Sequence, residues 1–324
     1  MVTIAKIAEL TGVSTATVSR VLRNEKNVAA ATRELVLQTA AQLGRGTLEP
    51  TRQKRVLAVG STPSLQIFPL LTAAAERYRI SLLCKLMLDD NFRADAPEFE
   101  GEWDGVILID GFAPPEELAK LRQRLMVVQC RTYSGLPSDV AVLVDDVRMG
   151  YNLARHLLAG GCRRIDYVEE LPDVLARTFP RERRLGVLAA LAEAGLSLWR
   201  VYPYDPATRE ELLLRALADG ADAVILGGTY PSTERMLERA RAEGLHIPEE
   251  LAVAAFDDNE FCAAWGLTAI HQPLESIADA SMLLLDDLIE RRVAFKEATL
   301  VRVAHRLIVR DSTRPDAKSK AKTR

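Results

Sequence analysis

From Arg55 onward the chain alternates short β-branched apolar runs with stretches of helical periodicity, and this limits the available folds more than any other feature. Apolar runs fall at 56–59, 80–86, 105–109, 126–128, 141–144, 165–168, 223–226 and 251–256. Helical patterns fall between them at 70–78, 116–124, 147–158, 183–194, 208–218, 233–242 and 274–289. Repeated βα units of this length predict parallel sheets covered by helices, and the strands are too many for one sheet, so two lobes are expected. In such sheets small molecules bind at the carboxyl ends of the strands, here a cleft between the lobes. The polar residues that directly follow strands are therefore the candidates: Ser61, Thr62, Asp145, Asp146, Thr229, Tyr230, Asp257, Asp258, Asn259 and Gln272. Each also reads as a solvated loop residue or a cap, and Asp146 is placed to cap the helix at 147–158.

The first 22 residues read differently. Two short helices flank a turn at Thr11-Gly12, with Ile4, Ile7 and Ala8 on one face of the first and Val18, Val21 and Leu22 on one face of the second. Ser14 is a ready N-cap. Thr15, Ala16, Ser19 and Arg20 are left facing outward, small or donor-rich side chains suited to a DNA major groove. A helical hairpin with glycine at its turn also occurs in domains that touch no DNA. Charge separates the two readings: residues 1–55 hold nine Lys/Arg against four acids, whereas the whole chain is at −3. A basic head on an acidic body fits a chain whose head meets phosphates. A third helix is expected over 32–43, with Leu35, Val36, Thr39, Ala40 and Leu43 inward and no side-chain cap in Ala29-Ala30-Ala31. The segment 44–54, with two glycines and a proline, reads as a linker.

No apolar run is long enough to span a bilayer, and no basic-then-apolar leader opens the sequence, so a cytoplasmic protein is expected. Cys84, Cys130, Cys162 and Cys262 are scattered and read as reduced thiols. The four histidines have no partner at metal spacing, so neither a metal nor another cofactor is expected. No Ser/His/Asp signature or phosphate loop is present, which argues against an enzyme. A non-regulatory solute-binding protein would need an export signal and no helix-turn-helix.

The run Gly12-Val13-Ser14-x-x-Thr17-Val18-Ser19-Arg20-Val21 resembles, without a gap, the DNA-binding head of the lactose-repressor/galactose-repressor (LacI/GalR) family, and the likeness resumes at Val28, Thr32 and Arg33. The body is similar more loosely, through Val144-Asp145-Asp146-x-x-x-Gly150, Arg183-x-x-Gly186-Val187 and Leu267–Pro273. The resemblance implies an all-α helix-turn-helix head (1–46), a short hinge (47–54), a periplasmic-binding-protein-like α/β body of two lobes with parallel sheets (55–315) and a basic tail (316–324). It implies a homodimeric repressor of double-stranded operator DNA controlled by a small-molecule effector, a sugar or related metabolite. A ligand-responsive activator or dual regulator with a non-sugar effector is the alternative. The implied DNA contacts are Thr3, Ser14, Thr15, Ala16, Thr17, Ser19, Arg20, Arg23, Asn27 and Thr32. The implied effector contacts are Thr62, Asp145, Arg183, Tyr230, Asp258 and Gln272, with Arg183 as the clamp.

Three departures from the family pattern stand out. Tyr230 occupies about the place of a carboxylate that grips sugar hydroxyls. Arg23 replaces an asparagine and adds a phosphate-reaching cation. The linker is short, with Leu48 its one candidate wedge and Pro50 against a hinge helix through it.

Overall fold

The structure, a computed structural model, describes residues 4–22, 28–42, 53–60, 65–87, 92–110, 113–169, 178–203, 205, 207–228, 231–294 and 297–313. The expected linker around Leu48 and Pro50 and the basic tail lie outside these residues. So do Thr3, Arg23, Asn27, Thr62 and Tyr230. The chain divides into two compact units, one running to Arg55 and including Arg79–Ser81, the other holding the remainder.

The head is three helices, α1 (Ile4–Thr11), α2 (Thr15–Leu22) and α3 (Ala30–Gln42). Ile7, Ala8, Val18, Val21, Leu22, Val36 and Ala40 form its core. Thr11 closes α1, and Gly12 follows at φ +67°, a left-handed conformation that glycine adopts without a Cβ clash. Ser14 caps α2, with the Thr17 amide donating to Ser14 Oγ at 3.1 Å. One expectation is corrected in α3. It starts at Ala30, and Leu37, not Leu35, packs on the core, while Leu35 is exposed. Positions 36 and 40 define the buried face, and 37 flanks it, whereas 35 lies on the far side.

The body holds two six-stranded sheets. Lobe 1 contains β1 (Lys54–Gly60), α4 (Phe68–Arg77), β2 (Ile80–Leu86), β3 (Gly105–Ile109), α5 (Pro115–Arg122), β4 (Met126–Cys130) and β5 (Val140–Val144). The chain then crosses at Asp145 into lobe 2. That lobe contains α6 (Asp146–Ala159), β6 (Ile165–Val168), α7 (Thr178–Glu193), β7 (Val201–Tyr202), α8 (Leu212–Ala218), β8 (Ala223–Leu226), α9 (Pro231–Ala242), β9 (Ala252–Phe256), α10 (Glu260–Ala264) and β10 (Thr268–His271). It returns for α11 (Leu274–Ile289) and β11 (Thr299–Val303), and crosses a third time to β12 (Arg306–Ile308).

The sheet orders are β2-β1-β3-β4-β5-β11 and β7-β6-β8-β9-β10-β12. The pairings β1–β3, β3–β4, β4–β5 and β5–β11 in lobe 1 and all pairings in lobe 2 except β10–β12 are parallel. The central strands β3, β5, β8 and β9 are buried along their whole length, as strands covered on both faces must be. In lobe 1, α11 packs on β3, β4 and β5, with Leu285 and Ile289 against Gly105. In lobe 2, α8 and α9 bury Leu212, Leu213, Met236 and Leu237 against Val224, Leu226 and Val253.

The crossing of α6 and α7 positions the site. A Cβ at Gly150 would overlap the carbonyl oxygen of Arg183, and one at Gly186 would overlap that of Val147. Two glycines thus let the helix backbones touch, at the turn that carries Arg183. The cap of α6 is Asp145, not Asp146: Asp145 holds non-helical angles (φ −83°, ψ 83°) and accepts from the Arg148 amide at 2.9 Å. Asp146 is already helical, which turns its side chain inward.

Candidate functional site

Two places carry chemistry. In the head, Thr15, Ala16 and Arg20 are exposed on α2, and Ser19 is half-buried beside them. Ser14 and Thr17 bond each other, Oγ to Oγ1 at 2.9 Å, and so are committed to the cap as well as standing on this face. Thr32 is half-buried in the first turn of α3.

In the body, the carboxyl ends of the strands collect charge. Arg183 is 2% exposed and gives its donors to protein acceptors. Nε donates to Asp146 Oδ1 at 3.0 Å, Nη1 to the Gly227 carbonyl at 2.8 Å and to Asp257 Oδ2 at 3.1 Å, and Nη2 to Asp257 Oδ1 at 3.0 Å. The rings of Phe179 and Phe256 lie 4.9 and 4.8 Å from the guanidinium carbon, stacking and cation–π contacts that exclude water. Gln272 donates to Asp257 as well. Burial pushes the Asp146 carboxyl up to about 6 against the pull of Arg183. The fixed array is a cation held by two carboxylates at the ends of β8, β9 and β10.

Lobe 1 contributes a second pair. Arg131, directly after β4, meets Asp110, directly after β3, through Nε at 3.0 Å. Asp110 is 2% exposed. Arg131 lies close enough to Asp257 and Arg183 of lobe 2 to feel their charges, so the strand ends of the two lobes face one another. Tyr133 of lobe 1 also donates to Glu182 of α7 at 2.7 Å. That bond, to an anion, pushes the phenol up to about 12.

The structure therefore brings Arg183 and Gln272 together and separates two other expected effector residues from them. Asp258 pairs with Arg310 at 2.7 Å and with His271 at 3.7 Å. Asp145 caps α6. Asp257 and Asp146, their sequence neighbours, stand with Arg183 instead. Left-handed backbone at Asp257 (φ 65°) turns the first of the two carboxylates, not the second, toward the cation. Sequence reading missed Asp110 and Arg131. They obey the same rule as the other candidates, a charged residue straight after an apolar strand. Among the described residues no group of three or more His, Cys, Asp or Glu is arranged to hold a metal.

Comparison with known proteins agrees with both units. Residues 3–44 match the bacterial regulatory proteins of the lacI family, and residues 154–313 match the periplasmic binding protein-like domain. The chain thus joins a lacI-family DNA-binding domain to a periplasmic binding protein-like body, as lacI-family regulators do. The catabolite control protein A of Priestia megaterium is 24% identical over 97% of this chain and 99% of its own. A PurR transcriptional repressor of Pectobacterium carotovorum is 26% identical over 96% of this chain and 97% of its own. A lac repressor dimer bound to operator and an anti-inducer superposes with a TM-score of 0.69 at 18% identity, covering 96% of this chain and 98% of that one. The regulator CelR bound to cellobiose gives 0.64 at 24% identity, over 96% of this chain and 100% of that one. The described residues thus form a helix-turn-helix head and a two-sheet α/β body, the fold of the lac repressor. No described helix is long and apolar enough to cross a membrane.

Proposed function

We propose that this protein is a sequence-specific, non-enzymatic, cytoplasmic repressor that binds operator DNA as a homodimer and releases or tightens its grip when a small metabolite occupies the body. The observation that carries the reading is the exposed face of α2: Thr15, Ala16 and Arg20 stand clear of a core closed by Val18, Val21 and Leu22. A single helix in one major groove gives too little affinity alone, so two heads on two half-sites are required. Thr15, Ala16, Ser19 and Arg20 supply the base-edge contacts, and the basic surroundings supply phosphate contacts. A lacI-family regulator needs only ~1–3 kcal/mol of differential affinity between its states to switch.

The test is operator selection from random duplexes, followed by gel-shift titration at two salt concentrations. Binding should fall steeply with salt. Arg20→Ala should weaken it by about 1–3 kcal/mol and relax the sequence preference at one position of each half-site. An Arg20→Ala protein that binds the selected operator at full strength would refute the assigned reading face.

A further inference from the structure

The cation that the family likeness marks as the clamp, Arg183, has a protein acceptor on each of its three nitrogens. The cation without such acceptors is Arg131. Among the described residues its one ion-pair partner is Asp110, reached through Nε, and neither Nη1 nor Nη2 makes a hydrogen bond to a described residue. The side chain is 15% exposed, so water hydrates it only in part. Asp110 and Arg131 both hold left-handed backbone, at φ 52° and 64°, as does Asp257 across the seam at φ 65°. Left-handed backbone outside glycine is uncommon and concentrates where function demands it. Here it mounts three charged side chains on the facing strand ends.

We propose that Arg131 is a specificity-determining residue of the effector site, and that the effector is an acid, engaged through a carboxylate or phosphate monoester by the Nη1 and Nη2 of Arg131. The fork of a guanidinium matches two oxygens of such a group, and a charge-assisted pair replaces the hydration that Arg131 lacks. A neutral hydroxyl accepts one weaker bond and leaves the other amino group unpaired. Asp110 supplies the counter-charge on the Nε side, 3.0 Å away, and leaves the two amino groups of the fork to a ligand. Arg183 lies near enough to add favourable field without giving up its own partners. The proposal rests on the reading of this body as an effector domain.

The experiment uses the full chain with glucose, glucuronate, glucose 6-phosphate and inorganic phosphate at one pH and ionic strength. Thermal shift is followed by calorimetric titration. Glucuronate, glucose 6-phosphate or both should raise the melting temperature, and glucose should not. The carboxylate alone or the phosphate ester alone identifies the acid group, and a shift with inorganic phosphate alone shows that the oxyanion suffices. Arg131→Gln should weaken the acid at least tenfold, and Arg131→Lys, which keeps charge without the fork, should weaken it less. Because Arg131→Gln takes the counter-charge from buried Asp110, the Asp110→Asn/Arg131→Gln pair is measured beside it and should show the same loss in a protein of restored stability. Arg122→Gln, which breaks a different lobe 1 ion pair, with Asp139, should leave acid affinity within twofold. Equal shifts with glucose and the acids, no shift with any acid, or wild-type acid affinity in both Arg131→Gln proteins would overturn the proposal. Gel shift on the selected operator is run in parallel. Its failure would sink the regulator reading, whereas failure of the acid series alone sinks only the role of Arg131.

Discussion

The two arginines at the facing strand ends differ in what the protein has already done with them. In lobe 2, Arg183 is closed in by two carboxylates, a carbonyl and two aromatic rings, on a helix locked to its neighbour by Gly150 and Gly186. In lobe 1, Arg131 follows a strand on left-handed backbone and is held at a single nitrogen. The first arrangement builds a rigid floor, because a buried cation with an acceptor at each of its three nitrogens has little reason to move. The second leaves binding capacity unspent. A guanidinium near a ligand site is therefore not a ligand group by virtue of its position; the count of its occupied donors decides.

The largest test of this contrast is Arg183→Ala. It takes the counter-charge from Asp146 and Asp257 and should cost ~3–5 kcal/mol in urea unfolding at pH 7.5. Arg131→Ala, with one pairing to lose, should cost about 1–3 kcal/mol. Equal costs would break the contrast. Gly150→Ala comes next. Its methyl group meets the Arg183 carbonyl, so about 3 kcal/mol is expected, with the near-ultraviolet signal of the packed aromatics altered.

A third test compares the floor with a lone acid in the same lobe. Asp166 on β6 is fully buried and neither oxygen has a hydrogen-bond partner. Burial pushes its carboxyl up to about 6, against relief from the nearby Tyr202 hydroxyl and Arg200. A raised carboxyl favours the folded state when protonated. Its contribution is therefore fully present below the ordinary carboxylate range and is lost as pH rises through about 6. Asp166→Asn should raise stability by roughly 2–3 kcal/mol at pH 7.5 and by little at pH 4.5. Asp146 is pushed up to about 6 in the same way, but its Asn variant also gives up the charge-assisted bond to Arg183 Nε, so Asp146→Asn should stabilise by less than Asp166→Asn at pH 7.5. An equal gain would show that Arg183 does not need two carboxylates. The smallest effect belongs to the head, where Ser14→Ala should cost about 1 kcal/mol through the lost cap, read by thermal melting.

Much of this architecture is legible in the sequence. The strands Ile80–Leu86, Gly105–Ile109, Ile165–Val168 and Ala223–Leu226 and the helix Leu274–Ile289 fall where the apolar runs and periodicity put them. β11 and β12 escape notice because they are half-exposed edge strands with no buried run, defined by pairing with β5 and β10 far away in sequence. β7, two residues long, has no local signal. The site is legible to the level of the strand end, not the residue. Asp145 and Asp146, or Asp257 and Asp258, are chemically identical in the sequence, and only helix onset at the first pair and left-handed backbone at the second decide which one meets Arg183. Arg131 is missed because no motif surrounds it, although its place after an apolar strand was a usable signal.

The three crossings between the lobes bear on synthesis as well as on architecture. β1 to β5 of lobe 1 are complete at Val144, yet the helix that covers β3, β4 and β5 ends at Ile289 and the edge strand beside β5 at Val303. While the chain emerges from the ribosome, the apolar underside of the first sheet must wait for roughly half of the polypeptide. Neither lobe is a contiguous segment, so vectorial folding cannot finish one before starting the other. Nascent protein should thus draw on holding chaperones through most of its translation, and a ribosome stalled before α11 is made should release an aggregation-prone chain.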